Sequence, residues 1–89
     1  MIVNAFRENL IADLTREEGK RSTVYQDSGG ILAIGIGRNL ESRGLSDEEI
    51  AILLGNDLVI VTADLDRNAL WWRGMPADKQ RALANMCFN

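Results

Sequence analysis

The fold is decided by the stretch EGKRSTVYQDSGGILAIGIGR, residues 18–38. The Val-Tyr pair at residues 24–25 suits a β-strand, and the DSGG run at residues 27–30 is typical of a turn. The apolar run at residues 31–37 predicts a second strand, so we expect an antiparallel β-hairpin over about residues 22–37. Two glycines inside the second run are unfavourable in a strand and indicate a bend or a close approach of backbone.

Helices are predicted on both sides of this hairpin. Residues 3–18 repeat apolar side chains at helical spacing, and Gly19 follows them, where a helix C-terminus favours glycine. Ser46 opens a capping box, which predicts a long helix over about residues 47–68. A further helix is expected after Pro76. The sequence therefore predicts an α+β fold that is mainly helical and has one small antiparallel sheet.

The composition is typical of a folded globular chain. The 89 residues are 46% hydrophobic and 26% charged, which excludes a disordered chain and predicts one small domain. No run of 18 apolar residues is present, so no membrane span is expected. The ten basic residues are scattered and the formal net charge is −3, so nucleic acid is not the expected partner.

The chain contains few of the residue types that commonly carry out catalysis. The chain has no histidine and a single cysteine, Cys87. These counts exclude the nucleophile arrangements that use histidine and a structural zinc site of the usual kind. Any catalysis must therefore use carboxylates, lysine, tyrosine or hydroxyl groups, and no metal or cofactor is expected.

Two carboxylates are the main candidates for catalysis. Glu18 ends the first predicted helix, where the partial negative charge of the helix C-terminus favours the protonated carboxyl that a general acid needs. The alternative is an ordinary solvated glutamate. Asp27 falls in the predicted turn, where aspartate commonly serves only to bind turn amides. Together, two carboxylates in different environments are the minimum equipment for glycoside hydrolysis.

The same stretch resembles the phage lysozyme (endolysin) family. That family's pattern is a glutamate, eight residues, an aspartate or cysteine, five residues, and a threonine; this chain has Glu18, Asp27 and Ala33 at these positions. The helix that starts after Ser46 is similar to the family's linking helix, and residues 81–89 are similar to a helix of its second lobe. The remaining residues that carry the resemblance are Gly19, Tyr25-Gln26, Gly30 and Ile34-Gly35-Ile36-Gly37-Arg38.

The resemblance implies a muramidase that cleaves the bond between N-acetylmuramic acid and N-acetylglucosamine in bacterial peptidoglycan during host cell lysis. Glu18 matches the general acid that protonates the leaving oxygen. Asp27 matches the carboxylate that supports the attack of water or the cationic transition state. Ala33 stands where the family's threonine helps to place that water within the substrate site. A methyl group accepts no hydrogen bond, so we expect slower turnover, on the order of 100-fold for one lost positioning contact.

Further residues receive roles from the same resemblance. Arg38 and Asp57 match a pair of oppositely charged positions, and we favour a structural ion pair because Asp57 is predicted on the apolar stripe of its helix. Asn85 and Asn89 match positions where amides contact substrate, although asparagine there is as often merely solvated. The tandem residues Trp71 and Trp72 are expected in the core rather than as sugar-stacking platforms.

The resemblance also implies how the chain is organised. A single lysozyme-like domain is expected, with a small β lobe and catalytic cleft at residues 19–45 and a helical part made of residues 1–18 and 46–89. Family members continue with further helices, so the C-terminal lobe is expected to be incomplete. A homodimer, or a C-terminal part outside this chain, is then expected to cover three apolar residues. These are Leu83, Met86 and Phe88.

The start of the chain bears on where the protein acts. The first residues lack a basic region followed by a long apolar run, so no signal peptide is predicted. The resemblance implies accumulation in the host cytoplasm and action on the cell wall or periplasm at lysis, with peptidoglycan as the partner.

Two alternative functions stay open. One is an inactive lysozyme-like module that binds glycan or protein, which Ala33 favours. The other is a small helical interaction domain without the hairpin.

Overall fold

The computed structural model describes residues 2–88, without the side chains of residues 2 and 3. Within these residues the fold is α+β, with a three-stranded antiparallel sheet in the order β1-β2-β3. No helix in this range combines the length and apolar character needed to cross a bilayer. The elements are α1 (Ile2–Glu18), β1 (Arg21–Gln26), β2 (Leu32–Gly35), β3 (Arg38–Asn39), α2 (Asp47–Asn68), a short 3-10 helix (Trp72–Gly74) and α3 (Ala77–Phe88).

The predicted order of elements is confirmed. The hairpin expected over residues 22–37 is formed by β1 and β2, and the long helix has the predicted bounds. The sequence missed β3, because a two-residue strand of Arg38 and Asn39 carries no apolar alternation. β3 pairs with β2 and completes the sheet.

Helix α1 ends where glycine allows the chain to reverse. Gly19 has φ +78°, and its amide donates to the Thr15 carbonyl at 3.0 Å. This left-handed residue satisfies one of the last helical carbonyls and leads the chain into β1 two residues later. Glu18 is therefore fixed as the last residue of the helix.

The β1–β2 pairing contains a bulge. Arg21 pairs with Gly35 and Tyr25 pairs with Ala33, so four residue steps on β1 lie opposite two steps on β2. The extra residues bend β1 and shorten the distance that it spans. Ala33 lies at the centre of the sheet, paired with Tyr25 on one side and Asn39 on the other, and is only 3% exposed.

The predicted capping box begins α2. The Ser46 hydroxyl accepts from the Glu49 amide at 3.1 Å, and the Glu49 carboxylate accepts from the Ser46 amide at 2.8 Å. Ser46 itself has an extended backbone, as an N-cap residue requires. The chain divides into two compact units at this point, between Leu45 and Ser46.

The second unit has a small core. Val61, Leu65, Ala69 and Trp72 are buried, and Leu83 packs against them from α3. The expectation that Leu83 is an exposed residue needing a partner is therefore wrong, because this side chain turns toward the core. The first half of α2 is different, since every residue from 50 to 60 is exposed.

A hydrogen-bonded cluster holds the end of α2 to the 3-10 helix. Asp66 Oδ1 accepts from Trp72 Nε1 at 2.7 Å and from Arg73 Nε at 2.7 Å, and Oδ2 accepts from Arg73 Nη2 at 3.0 Å. The guanidinium of Arg73 also lies 4.6 Å from the centroid of the Trp72 ring. Hydrogen bonds from Arg73, and then from Trp72, lower the pKa of the Asp66 carboxyl.

We expect Asp66→Asn to destabilise the second unit at neutral pH. A lowered folded pKa means that Asp66 stabilises the fold above the carboxyl's unfolded pKa of about 3.9, and that this contribution is lost as pH falls through the folded value. Thermal unfolding followed by circular dichroism should therefore show a lower Tm for the variant at pH 7. The difference from wild type should shrink below about pH 4.

Asp64→Asn is the matched control, because Asp64 pairs only with the exposed Arg67 one helical turn away. Such an exposed pair contributes little. Equal losses of Tm in the two variants would show that the Asp66 cluster stabilises the fold no more than an exposed ion pair does.

Candidate active site

Glu18 presents its carboxyl group beside a glycine. It is the last residue of α1 and is exposed. A β-carbon built on Gly37 would lie 3.0 Å from Glu18 Oε2 and 3.2 Å from its Cδ, so the carboxyl rests against that bare stretch of main chain. Within residues 2–88, the Glu18 carboxyl has no hydrogen bond or ion pair. It is thus a solvated carboxyl supported on one side by backbone.

Asp27 organises the hairpin turn. Its Oδ1 accepts from the Gly29 amide at 2.8 Å and from the Ile31 amide at 3.0 Å. Its own backbone closes the turn, donating to the Ile31 carbonyl and accepting from the Gly30 amide, each at 2.9 Å. The turn role that the sequence left open is therefore present. Among the described residues, no hydrogen bond reaches Oδ2, which leaves one oxygen for other chemistry.

A bulged strand lies between these two carboxylates in the chain. A regular strand advances about 3.3 Å per residue, so four steps from Arg21 to Tyr25 would span about 13 Å. Because these steps lie opposite only two on β2, they span about 7 Å. Glu18 lies before this bulged segment and Asp27 after it. The bulge therefore shortens the strand that joins the two residues, and no sequence pattern predicts it.

Ala33 is not placed as a surface for substrate. It lies on the central strand with 3% of its surface exposed, and its methyl group carries no hydrogen-bonding atom. This burial is typical of a packing residue and argues against direct contact with a sugar.

Arg38 and Asp57 fall in different units. Arg38 is half-buried on β3 and donates from Nη1 to the Gly44 carbonyl at 3.1 Å. Asp57 lies on the exposed first half of α2 rather than on a buried stripe. The burial cost that suggested a partner for Asp57 is therefore absent, and the pairing of the two residues stays a prediction.

Asn85 lies at a groove within the second unit. The groove has a volume of about 490 Å³ and runs between α2 and α3. Asn89, the other amide predicted to bind substrate, lies outside the described residues. The groove is mainly apolar and is lined by Leu54, Leu58, Arg81, Ala84, Asn85 and Phe88.

The two tryptophans have opposite environments. Trp72 is 6% exposed and belongs to the core, as predicted. The same prediction is wrong for Trp71, which is 62% exposed. The 3-10 helix that begins at residue 72 turns the two neighbouring side chains to different sides, so a pair that looks uniformly apolar in sequence is split between core and surface.

Sequence reasoning missed two contacts of the hairpin. The Arg21 guanidinium lies 4.8 Å from the centroid of the Tyr25 ring, and Glu41 Oε2 accepts from the Leu32 amide at 2.7 Å. Neither has a local sequence signal, because each depends on which residues the bulged register and the chain after β3 bring together. The contact of Glu18 with Gly37 had a partial signal, since glycine in a strand indicates close approach.

Comparison with known proteins does not assign this chain to a family. No protein-family model matches the chain, and no curated protein matches it with significant similarity. Within residues 2–88, no three acidic or cysteine side chains are grouped as metal ligands. The candidate site thus consists of Glu18 and Asp27 on either side of the bulged strand.

Replacing Asp27 separates its turn role from any chemical role. Asp27→Ala removes the acceptor of two amides and should lower the free energy of unfolding by about 1–2 kcal/mol, at about 1 kcal/mol per hydrogen bond. Asp27→Asn keeps a carbonyl oxygen for those amides and should retain most of the stability. Urea unfolding of both variants tests this expectation. Equal stability of Asp27→Ala and wild type would exclude the turn role in solution.

Proposed function

We propose that this chain is a lysozyme-like glycoside hydrolase, an endolysin-type muramidase that cleaves the N-acetylmuramic acid–N-acetylglucosamine bond of bacterial peptidoglycan in host cell lysis. The observation that carries the proposal is the placement of Glu18 at a helix end and Asp27 in a turn, on either side of one bulged strand. Two carboxylates in unlike surroundings are what glycoside hydrolysis uses as acid and as base or stabiliser.

Glu18 is the proposed general acid. Its carboxyl is exposed and has no competing hydrogen bond among the described residues, so a glycosidic oxygen can approach it directly. Protonation of that oxygen assists departure of the leaving sugar, a contribution typically of about 10²–10⁴-fold.

Asp27 is the proposed partner carboxylate. The Gly29 and Ile31 amides occupy Oδ1 and hold the side chain in one orientation. Oδ2 then accepts the proton of an attacking water or stabilises the positive charge that develops on the sugar ring. The turn role and the catalytic role are thus compatible, because they use different oxygens.

The resemblance to the phage lysozyme family implies direct attack by water, the inverting course. Inverting enzymes hold their carboxyl groups about 6.5–9.5 Å apart to leave room for a water. The separation of the Glu18 and Asp27 carboxyl groups in the complex with substrate is what would distinguish this course from a retaining one. Neither carboxylate requires a cofactor for this chemistry.

Glu18→Gln should abolish release of new reducing ends from purified peptidoglycan, because glutamine keeps the shape of the side chain but donates no acidic proton. We expect a loss of at least about 100-fold relative to wild type. The measurement is a reducing-end assay with wild type and variant at equal concentration.

Glu17→Gln is the control, since Glu17 is also exposed and precedes Glu18 on the same helix. It should retain the wild-type rate. Equal rates for wild type and Glu18→Gln would remove Glu18 from catalysis.

The second candidate function is an inactive module that binds glycan or protein. The buried Ala33 favours it, because the position that would help to place water has no hydrogen-bonding group. Under this alternative, wild type co-sediments with peptidoglycan but releases no reducing ends, and Ala33→Thr does not restore release.

A second copy of this chain is the proposed cover of the groove between α2 and α3. Phe88 and Leu58 at the groove are 47% and 44% exposed, and Met86 on α3 is 74% exposed. Exposed apolar side chains of this size favour association when they form a patch. Light scattering after size exclusion should give a mass twice 9.9 kDa.

Phe88→Ser should shift that mass to the monomer, because it replaces an apolar groove side chain with a hydroxyl. Leu70→Ser is the control, since Leu70 is 83% exposed and lies outside the groove. A monomeric wild type at all concentrations would exclude the dimer and leave a C-terminal part of a longer protein as the proposed cover.

A further inference from the structure

Gly37 differs from the other left-handed glycines in what lies beside it. Five described glycines have positive φ, between +61° and +79°. At three of them, an added β-carbon would meet nothing within 4 Å, and at Gly44 it would meet only a carbonyl at 3.9 Å. At Gly37 it would meet Oε2, Cδ and Cγ of Glu18 at 3.0, 3.2 and 3.3 Å.

These distances show how the Glu18 side chain is held. Its Cγ, Cδ and Oε2 atoms all lie close to the position that a β-carbon on residue 37 would occupy. No hydrogen bond or ion pair within residues 2–88 fixes it otherwise. The missing side chain of Gly37 is therefore what gives the carboxyl its place.

We propose that Gly37 is a positioning residue for the Glu18 carboxyl, and this inference rests on the proposed role of Glu18 as the general acid. Any L-residue at position 37 would place its β-carbon in the volume that the carboxyl occupies. Real β-carbons seldom approach a neighbour within 3.4 Å, so the neighbour must move. The glutamate side chain moves more easily than the backbone, because it has several rotatable bonds and no hydrogen bond to break.

Displacement of a general acid has a disproportionate effect on the rate. The contacts at residue 37 require the carboxyl to move by a few tenths of an ångström. Since a shift of about 1 Å can slow catalysis by about 100-fold, we expect this smaller shift to slow it by about tenfold. We expect substrate binding to be affected less, because the substitution moves the proposed proton donor rather than a group proposed to hold the sugar. The inference thus predicts a loss in kcat with little change in KM.

Gly35 provides a matched control for backbone strain. It has φ +70° against +69° for Gly37, and an added β-carbon there would meet nothing within 4 Å. Gly35→Ala and Gly37→Ala should therefore carry a similar left-handed strain. Only Gly37→Ala should also displace Glu18.

The first measurement is the kinetics of reducing-end release by wild type and both alanine variants. We expect kcat to fall by about tenfold in Gly37→Ala and to stay within about twofold of wild type in Gly35→Ala, with KM similar in all three. Equal kcat in the two variants overturns the inference. If either alanine variant does not fold, asparagine replaces alanine at both positions, because asparagine tolerates positive φ better.

The second measurement does not depend on activity. The ¹³C resonance of the Glu18 side-chain carboxyl should move in Gly37→Ala and stay in place in Gly35→Ala. An inactive wild type that shows this pattern supports the positioning contact and overturns the proposed function. An active wild type whose resonance moves equally in both variants, or in neither, overturns the Gly37 inference and leaves the proposed function standing.

Discussion

The antiparallel pairing of β1 with β2, with its bulge between Arg21 and Tyr25, is the constraint on which the candidate site depends. It joins the end of α1 to the turn that Asp27 closes. A regular strand of the same residues would span several ångströms more between Arg21 and Tyr25, because each additional strand step adds about 3.3 Å. Ala33 is buried on the central strand, so the sheet is held by packing as well as by hydrogen bonds.

The two carboxylates differ in how the chain holds them. Asp27 is tied by two amides to the turn that it stabilises, so its orientation is part of the fold. Glu18 has only the backbone of Gly37 beneath it, so its position depends on an absent side chain rather than on a bond. The orientation of Asp27 thus depends on hydrogen bonds, whereas that of Glu18 depends on contact with the main chain.

In the second unit, the end of α2 is packed in a core whereas its first half is exposed. Its core is confined to the end of α2, the 3-10 helix and the inner side of α3, where Asp66 joins Trp72 and Arg73. The first half of α2 leaves its apolar side chains exposed and forms one side of the groove at Asn85. A helix of this kind gains little from its own packing, so its capping box and its proposed partner matter more than they would for a buried helix.

Local sequence determined the elements. Helix ends follow from glycine and capping chemistry, and the turn follows from the DSGG run, since these signals act within a few residues. The sequence also named both candidate carboxylates by their positions. Tertiary structure decided the rest: the bulge between Arg21 and Tyr25, the contact of Glu18 with Gly37, the burial of Trp72 but not Trp71, and the inward turn of Leu83. These depend on which distant residues meet, and the period of a helix or strand does not encode a register shift or the neighbour of a side chain.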